Sequence, residues 1–168
     1  LFPKNITKFN TLEEFLEQDS QCDFVVICSP NFLHEEHIEL SLKAGKNIIC
    51  EKPVALSQAG LDRLKNIEEN SDGRVNTILQ LRLHPVIQKL KKNIKTKSSN
   101  KIKLIYVARR DDNYFKSWKG NDSLSGGMIT NVGIHYLDLV TYLFGKVIDL
   151  DIKQNTFNRS SGTLTLEK

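Results

Sequence analysis

The first half of the chain alternates short apolar runs with stretches of helical periodicity. The runs DFVVIC (residues 23–28), NIIC (47–50) and VNTILQLRL (75–83) have strand length and are rich in β-branched residues, so they predict three strands. Residues 33–46 and 57–70 repeat apolar side chains at helical spacing, which predicts a helix between consecutive strands. DFVVIC is apolar without interruption, as expected for a strand covered on both faces. The alternation indicates a parallel sheet with right-handed crossovers.

Residues that favour helix ends support these boundaries. Thr11, with Glu14 three residues later, forms a capping box and predicts a short helix over residues 11–18. Ser57 is a suitable N-cap for the helix that follows the second strand. Gly45 is a suitable C-terminal end for the helix that precedes that strand.

The second half has a different pattern. Residues 84–95 predict a basic amphipathic helix, and residues 101–110 alternate as a strand with one exposed face would. The stretch TKSSN (96–100) between them is a polar loop. A second loop, rich in aromatic and charged residues, is predicted at 111–123. Residues 125–145 then return to helical spacing, which predicts a long helix ended by a glycine.

Three polar residues lie on that last helix. Asn131 and His135 are four residues apart and Asp138 is three further on, so the helix brings all three near one face. The segments 146–157 and 161–168 alternate like antiparallel strands. An α/β half followed by an α+β half predicts two domains that meet near residue 80.

Polar turns follow two of the predicted parallel strands. The turn SPN (29–31) follows the first strand, and EKP (51–53) follows the second. Open parallel sheets bind ligands beyond the carboxyl ends of their strands, so both turns should face one crevice. Pro53 also favours an extended backbone at Lys52, which gives the lysine a fixed direction. The alternative is that both are ordinary polar turns, with Lys52 in water and Glu51 on a rim.

Composition narrows the class of protein. The chain has 168 residues, of which 39% are hydrophobic and 26% charged, and a formal net charge of +4, which is ordinary for a globular protein. This charge does not by itself indicate nucleic-acid binding. The apolar runs are far shorter than the roughly 20 residues of a membrane span, so a cytoplasmic protein is expected. Three cysteines without CxxC spacing favour neither a disulfide nor a metal site.

Two segments resemble the family of glucose-fructose oxidoreductase, inositol dehydrogenase and MocA. CSPNFLHEEHIELSLKAGKNIICEKPVAL (28–56) resembles the second half of that family's nucleotide-binding domain, in which EKP is the most recognisable tripeptide. GGMITNVGIHYLD (126–138) resembles its second signature, a Gly-Gly before a helix that carries a histidine and then an aspartate. Two motifs in the family's order are specific evidence for the resemblance, whereas EKP alone would be weak evidence.

A closer resemblance exists to one branch of the family. LQLRLHP (79–85), YFKSWKGNDSLSGG (114–127) and NVGIH (131–135) are similar to the WlbA/WbpB-type UDP-N-acetyl-2-amino-2-deoxyglucuronate dehydrogenases. Those enzymes oxidise the sugar at C3 during synthesis of surface polysaccharides and lipopolysaccharide. Asn131 agrees with this branch, since many other family members have Asp at that position.

The resemblance implies a fold and a cofactor. Residues 1–80 would be the C-terminal part of a Rossmann NAD-binding domain, and residues 81–168 the start of an α+β substrate and oligomerisation domain with a mainly antiparallel sheet. The family places its GxGxxG phosphate loop upstream of Leu1, so an internal fragment of a longer protein is expected, with NAD as cofactor and NADP as the alternative.

The resemblance also assigns roles. Lys52 would hydrogen-bond the reacting hydroxyl and stabilise negative charge on it, and His135 would act as the base or share the proton with Lys52. The alternative for His135 is a structural role, as a helix histidine whose hydrogen bonds are made within a packing surface. The cofactor-binding residues would be Ser29, Pro30, Asn31, His34, Glu51 and Gln80. The substrate-binding residues would be Lys52, His135, Arg82, Asn131, Tyr114 and Trp118.

Several of these assignments have structural alternatives. His34 could start a helix with its ring in water, and Arg82 could form an ion pair at a domain interface. Tyr114 and Trp118 could belong to a packing or oligomer contact. For the whole chain, the alternatives are a dehydrogenase of another sugar or of inositol, or a noncatalytic binding module. The expected partners are a small sugar nucleotide and further copies of the protein in a homodimer or homotetramer, with neither nucleic acid nor membrane.

Overall fold

The computed structural model of the protein describes residues 6–18, 21–94, 100–156 and 158–167. It divides into two compact units. The first unit comprises Leu1–Ser29 and Leu33–Thr77, and the second comprises Pro30–Phe32 and Ile78–Lys168. The SPN turn is therefore shared, since Ser29 belongs to the first unit and the two residues after it to the second.

The first unit is built on a parallel sheet. Strands β1 (Phe24–Ile27), β2 (Asn47–Cys50) and β3 (Val75–Thr77) pair in the order β1-β2-β3, and both pairings are parallel. Helix α2 (His34–Lys43) connects β1 to β2, and α3 (Gln58–Glu69) connects β2 to β3. The predicted strand-helix alternation is thus confirmed.

The helix ends of the first unit follow the predicted caps. Helix α1 (Leu12–Gln18) begins after Thr11, whose hydroxyl accepts a hydrogen bond from the Glu14 amide at 3.1 Å. The Ser57 hydroxyl accepts from the Gly60 amide at 3.0 Å and starts α3. After α2 the chain turns at Gly45, whose φ of +70° is the left-handed conformation that glycine adopts without strain.

The core of the first unit lies on one face of the sheet. Residues from β1 and β2 interleave there with apolar side chains of α2 and α3. The opposite face of β1 is open, because Phe24 is 51% and Val26 is 59% exposed. The prediction that β1 is covered on both faces was therefore wrong, since only its alternate residues meet the helices. The buried core residues are Val25, Ile27, Ile38, Leu42, Ile48, Cys50 and Leu64.

The second unit combines short helices with one antiparallel pair of strands. Helix α4 comes first, α5 and α6 are single turns, and α7 follows a π-helical segment. Strands β4 and β5 pair antiparallel with two register shifts, which confirms the two predicted strands. The elements are α4 (Pro85–Asn93), α5 (Asp112–Lys116), α6 (Asp122–Ser125), α7 (Ile134–Phe144), β4 (Val147–Thr156) and β5 (Arg159–Leu166).

Three predictions for this unit need correction. Residues 101–110 form no strand, because a strand requires a hydrogen-bonded neighbour and the described pairing in this unit joins only β4 and β5. The third parallel strand ends at Thr77, and Gln80–Leu83 is a 3-10 helix instead of its continuation. The region 111–123, predicted as a loop, contains short helices whose first turns are capped by the side chains of Asp111 and Asn121.

The predicted long helix over 125–145 is also interrupted. Gly126 and Gly127 have positive φ angles of 81° and 73°, which end α6 before the next helical segment begins. Ile129–Gly133 is π-helical, and α7 starts only at Ile134. The predicted stop at Gly145 is confirmed, with φ at 91°. The predicted TKSSN loop falls on residues 96–99, outside the described part, apart from its last residue.

Among the described helices, none combines the length and the apolar composition needed to cross a bilayer.

Candidate active site

The turn after β1 is fixed by two histidines of α2. The backbone carbonyl of Ser29 lies 2.8 Å from Nε2 of His34, and its hydroxyl lies 3.0 Å from Nδ1 of His37. The two rings are three residues apart, so they project from adjacent turns of one helix face. Ser29, a predicted cofactor residue, is thereby held at both its backbone and its side chain.

The turn after β2 carries the predicted catalytic lysine. The Glu51 amide continues the parallel ladder by donating to the Ile27 carbonyl at 2.9 Å. Lys52 follows, and its peptide bond to Pro53 is cis. The Pro53 carbonyl lies 2.7 Å from Nδ1 of His34. Glu51 and Lys52 are both half-buried at the carboxyl end of the strand.

The residues next to this turn also contact α2. The Leu56 amide donates to Oε1 of Glu35 at 3.1 Å, and Arg63 of α3 donates to Oε2 of the same carboxylate at 3.1 Å. Cys50, the last residue of β2, is fully buried. Burial raises the pKa of its thiol to about 12, with the carboxylate of Glu51 as a second cause. Cys50 is thus a small apolar core residue, in agreement with the sequence.

His34 does not have its ring in water. Its exposed fraction is 0%, and both ring nitrogens lie within hydrogen-bond distance of backbone carbonyls in the first unit. The alternative of a solvated helix-start residue was therefore wrong. A direct contact of His34 with a cofactor stays a prediction.

The second unit contains a chain of polar contacts around the predicted substrate residues. The Asn31 side chain is 4% exposed, and its Nδ2 donates to the Ser125 carbonyl at 2.8 Å and to Oδ1 of Asn131 at 3.4 Å. The Asn131 amide in turn donates to the Tyr114 hydroxyl at 3.4 Å. One residue predicted to bind the cofactor is thus connected to two predicted to bind the substrate.

Aromatic residues adjoin this chain of contacts. The ring of Trp118 meets that of Phe32 edge to face, with 6.5 Å between centroids. The guanidinium of Arg110 lies over the Tyr114 ring, 5.1 Å from its centroid. The packing alternative for Trp118 and the substrate role are compatible with this geometry, because the Trp118 side chain is only partly buried.

Arg82 forms an ion pair inside the second unit. Its Nε donates to both carboxylate oxygens of Asp138, at 3.1 and 2.9 Å, and its Nη2 donates to Oδ1 as well. The hydrogen bond with Asp138 raises the pKa of Arg82. The guanidinium also lies 5.3 Å from the centroid of the Tyr142 ring. The sequence placed Asp138 on the same helix face as His135 but did not identify Arg82 as its partner.

The remaining predicted residues occupy defined positions. Gln80 is exposed at the start of the 3-10 helix after β3. His135 is half-buried in the first turn of α7, directly after the π-helical segment, a feature found frequently at functional sites. Lys52 belongs to the first unit and His135 to the second.

The chain offers polar groups suited to the nicotinamide half of a dinucleotide. Ser29 and Glu51 stand at the carboxyl ends of adjacent parallel strands, the edge at which open α/β sheets bind ligands. A half-buried carboxylate at this edge is suited to accept hydrogen bonds from ribose hydroxyls. These residues fit an NAD ribose. Within the described part of the chain, no cluster of three or more histidine, cysteine or acidic residues could hold a metal ion.

Three parallel strands joined by helices are typical of part of a Rossmann-type domain, and the comparisons with known proteins agree. Residues 4–78 match the oxidoreductase family with an NAD-binding Rossmann fold, and residues 91–163 match the C-terminal α/β domain of the same family. The chain belongs to the Gfo/Idh/MocA oxidoreductase family. The predicted fold class and family are thereby confirmed.

Solved structures of this family resemble the chain closely. The WlbA (WbpB) dehydrogenase of Thermus thermophilus, solved with NAD and UDP-GlcNAcA, is 37% identical with a TM-score of 0.81 over 93% of this chain and 51% of its own. The WlbA dehydrogenase of Bordetella pertussis, solved with NADH and UDP-GlcNAcA, is 25% identical with a TM-score of 0.78 over 95% of this chain and 46% of its own.

Curated relatives include enzymes for other polyols. The myo-inositol 2-dehydrogenase of Thermotoga maritima is 27% identical over 139 residues, which are 80% of this chain and 40% of the relative. The chain thus spans about half, or less, of the length of the proteins that it matches.

Proposed function

We propose that the whole protein is a cytoplasmic NAD(P)-dependent dehydrogenase that oxidises the C3 hydroxyl of UDP-GlcNAcA to a ketone in surface-polysaccharide biosynthesis. The observation that carries the proposal is a lysine fixed at the carboxyl end of a parallel strand, in a chain 37% identical to the Thermus enzyme over 93% of its length. A homodimer or homotetramer is the assembly that the family resemblance favours.

The chemistry assigned to this chain is transfer of one proton. Oxidation of a secondary alcohol removes the hydroxyl proton while the carbon loses a hydride, and NAD, when bound, supplies the hydride acceptor. The Lys52 ammonium donates a hydrogen bond to the alcohol oxygen and stabilises the negative charge that develops there. The His135 ring takes the proton, directly or by sharing it with Lys52.

Other residues would bind the two ligands. Asn131 is proposed to contact the sugar, because it lies four residues before His135 and agrees with the sugar-nucleotide branch of the family. Its amide also forms hydrogen bonds with Asn31 and Tyr114. Trp118 would shape the mouth of the substrate site. Arg82 is suited to bind a substrate carboxylate. Its guanidinium would then divide its N–H donors between that carboxylate and Asp138. The proposed cofactor contacts remain Ser29, Pro30, Asn31, His34, Glu51 and Gln80.

A second candidate keeps the reaction and changes the substrate. The similarity to the Thermotoga myo-inositol 2-dehydrogenase favours a free polyol or sugar as the alcohol. The same lysine and histidine would serve that reaction, since they act on the reacting hydroxyl and not on the uridine diphosphate.

The experiment that tests the proposal uses the whole protein. It is incubated with NAD and UDP-GlcNAcA, and mass spectrometry looks for a product lighter by two hydrogens. Lys52→Ala should lower kcat by about 10²–10⁴-fold with little change in NAD affinity, because the lost interaction belongs to the transition state. Lys65→Ala, an exposed lysine of α3, is the control and should retain full turnover.

Other outcomes of this experiment would contradict the role of Lys52 or favour one of the alternatives. Equal losses of turnover and NAD affinity in Lys52→Ala would contradict the assigned role. Intact NAD binding without product from the sugar nucleotide, but with product from inositol, would favour the second candidate. A protein that binds no NAD and oxidises neither substrate would be a noncatalytic module.

A further inference from the structure

A single buried imidazole joins the two turns at the end of the parallel sheet. Nδ1 of His34 lies 2.7 Å from the Pro53 carbonyl, and Nε2 lies 2.8 Å from the Ser29 carbonyl. Both distances are within hydrogen-bond range, and a neutral imidazole, with its single N–H, donates to one of the two carbonyls. A carbonyl oxygen can only accept, so every hydrogen that the ring carries on nitrogen points at one of these two turns.

The ring has no access to water. His34 is 0% exposed, and Pro53 is also fully buried. A hydrogen bond in such surroundings is not replaced by water when it is removed, and the carbonyl left behind stays without a donor. The position of the Pro53 carbonyl therefore depends directly on the His34 side chain.

Neighbouring residues of α2 reinforce the arrangement. His37 contacts the Ser29 hydroxyl at 3.0 Å, and Glu35 accepts from the Leu56 amide at 3.1 Å. The first turns of α2 thus hold the chain within and after the EKP turn and at the end of β1. The ring of His34 lies within hydrogen-bond distance of both turns.

We propose that His34 is a positioning residue for the catalytic lysine, acting through the Pro53 carbonyl. This inference rests on the proposed function for its kinetic consequences. The Pro53 carbonyl lies one Cα beyond the Lys52–Pro53 peptide unit, and the proline ring fixes the N–Cα torsion between the two units, so anchoring this carbonyl restrains the backbone from which the Lys52 side chain leaves. Misplacement of a catalytic group by about 1 Å can cost 10²-fold in rate.

Three variants of the whole protein distinguish the contact of His34 with Pro53 from its contact with Ser29. His34→Asn keeps an amide donor near the place of Nδ1, on the Pro53 side, and His34→Gln keeps one near the place of Nε2, on the Ser29 side. His34→Leu fills a similar volume with no donor. His84→Gln, at an exposed histidine outside α2, is the control.

The expected order of kcat is wild type and His84→Gln, then His34→Asn, then His34→Gln, then His34→Leu. The Leu variant should lose about 10–10²-fold in kcat, a larger factor than its loss of NAD affinity by calorimetry. Equal loss in kcat and NAD affinity, or a Gln variant more active than the Asn variant, would overturn the route through Pro53.

A second readout does not require activity. Reductive methylation with ¹³C-formaldehyde gives each lysine an NMR signal, and Lys52→Arg assigns that of Lys52. The Lys52 signal should move in His34→Leu and return toward its wild-type position in His34→Asn. An unmoved signal overturns the proposal even if the wild type oxidises its substrate, and a moved signal supports it even if the wild type oxidises none. If the Leu variant does not fold, the Asn and Gln variants give the same comparison.

Discussion

Two isoleucines in strands show how differently the two units use the same residue type. Ile48 in β2 is 0% exposed and pairs with Val25 on one side and Val75 on the other. Ile152 in β4 is 53% exposed. Both positions suit a β-branched side chain, so strand propensity does not distinguish them. Ile48 is buried because helices pack on the sheet of the first unit. Whether a strand residue of this chain is buried therefore depends on what packs against the strand and not on the residue type.

The largest effect expected from this comparison is on core stability. Ile48→Ala removes fully buried methyl groups and leaves a cavity, so it should lower the free energy of unfolding by about 2–5 kcal/mol. Ile152→Ala, the matched control, should change it by less than about 0.5 kcal/mol. Urea unfolding of the whole protein measures both. A large loss from Ile152→Ala would mean that β4 is covered in solution.

A smaller difference is expected between two N-caps. Ser57→Ala removes the acceptor of the Gly60 amide at the start of α3, which packs on the core, and should cost about 1 kcal/mol. Asp111→Ala removes the corresponding acceptor for Tyr114 at the start of the five-residue α5. Its cost should stay below about 0.5 kcal/mol in global stability, because a single exposed turn opens locally. Amide hydrogen exchange in the two helices separates local from global opening, and equal costs would refute the distinction.

The smallest effect expected at neutral pH is that of the Cys50 thiol, which contributes a pH dependence only in alkaline solution. Its pKa is raised from an ordinary value of 9.0 to about 12, so above about pH 9 the unfolded chain releases a proton that the folded chain keeps. The free energy of unfolding should therefore fall as pH rises from about 9 upward. Cys50→Val should weaken that fall much more than Cys28→Val, at an exposed position, because Cys28 is only the third cause of the raised pKa of Cys50. Urea midpoints at about pH 8 and 10.5 would detect this, and an identical slope in Cys50→Val would contradict it.

Local sequence signals predicted most of the first unit. The three strands, the helices between them and the caps at Thr11 and Ser57 came from periodicity and short-range chemistry, which a single sequence contains. The number of covered faces of β1 could not be predicted in this way, because an uninterrupted apolar run looks the same whether one face or both are packed. In the second unit the apolar segment 101–110 has strand composition, but a strand also needs a neighbour, and that partner is not visible in local pattern.

The candidate site was predicted in part. The turns after β1 and β2 were located by their place after apolar runs, and the resemblance supplied their roles. The contacts of His34 with Ser29 and Pro53 could not be predicted, since they join residues from three different segments. His37 was not predicted to belong to the site, although its spacing of three residues from His34 on one helix was an available signal for a shared role. The ion pair of Arg82 with Asp138 spans 56 positions and had no signal in spacing.

The strand order of the first unit has a consequence during translation. Because β1, β2 and β3 are neighbours in the same order as they occur in the chain, each new strand that leaves the ribosome finds its hydrogen-bonding partner already synthesised. Among the described strands, none has to wait for a later one to be inserted between itself and its predecessor. Addition of β2 to β1 and then of β3 to β2 keeps the loops to be closed short, which favours rapid folding. The nascent chain can therefore pair these three strands in the order in which they are synthesised.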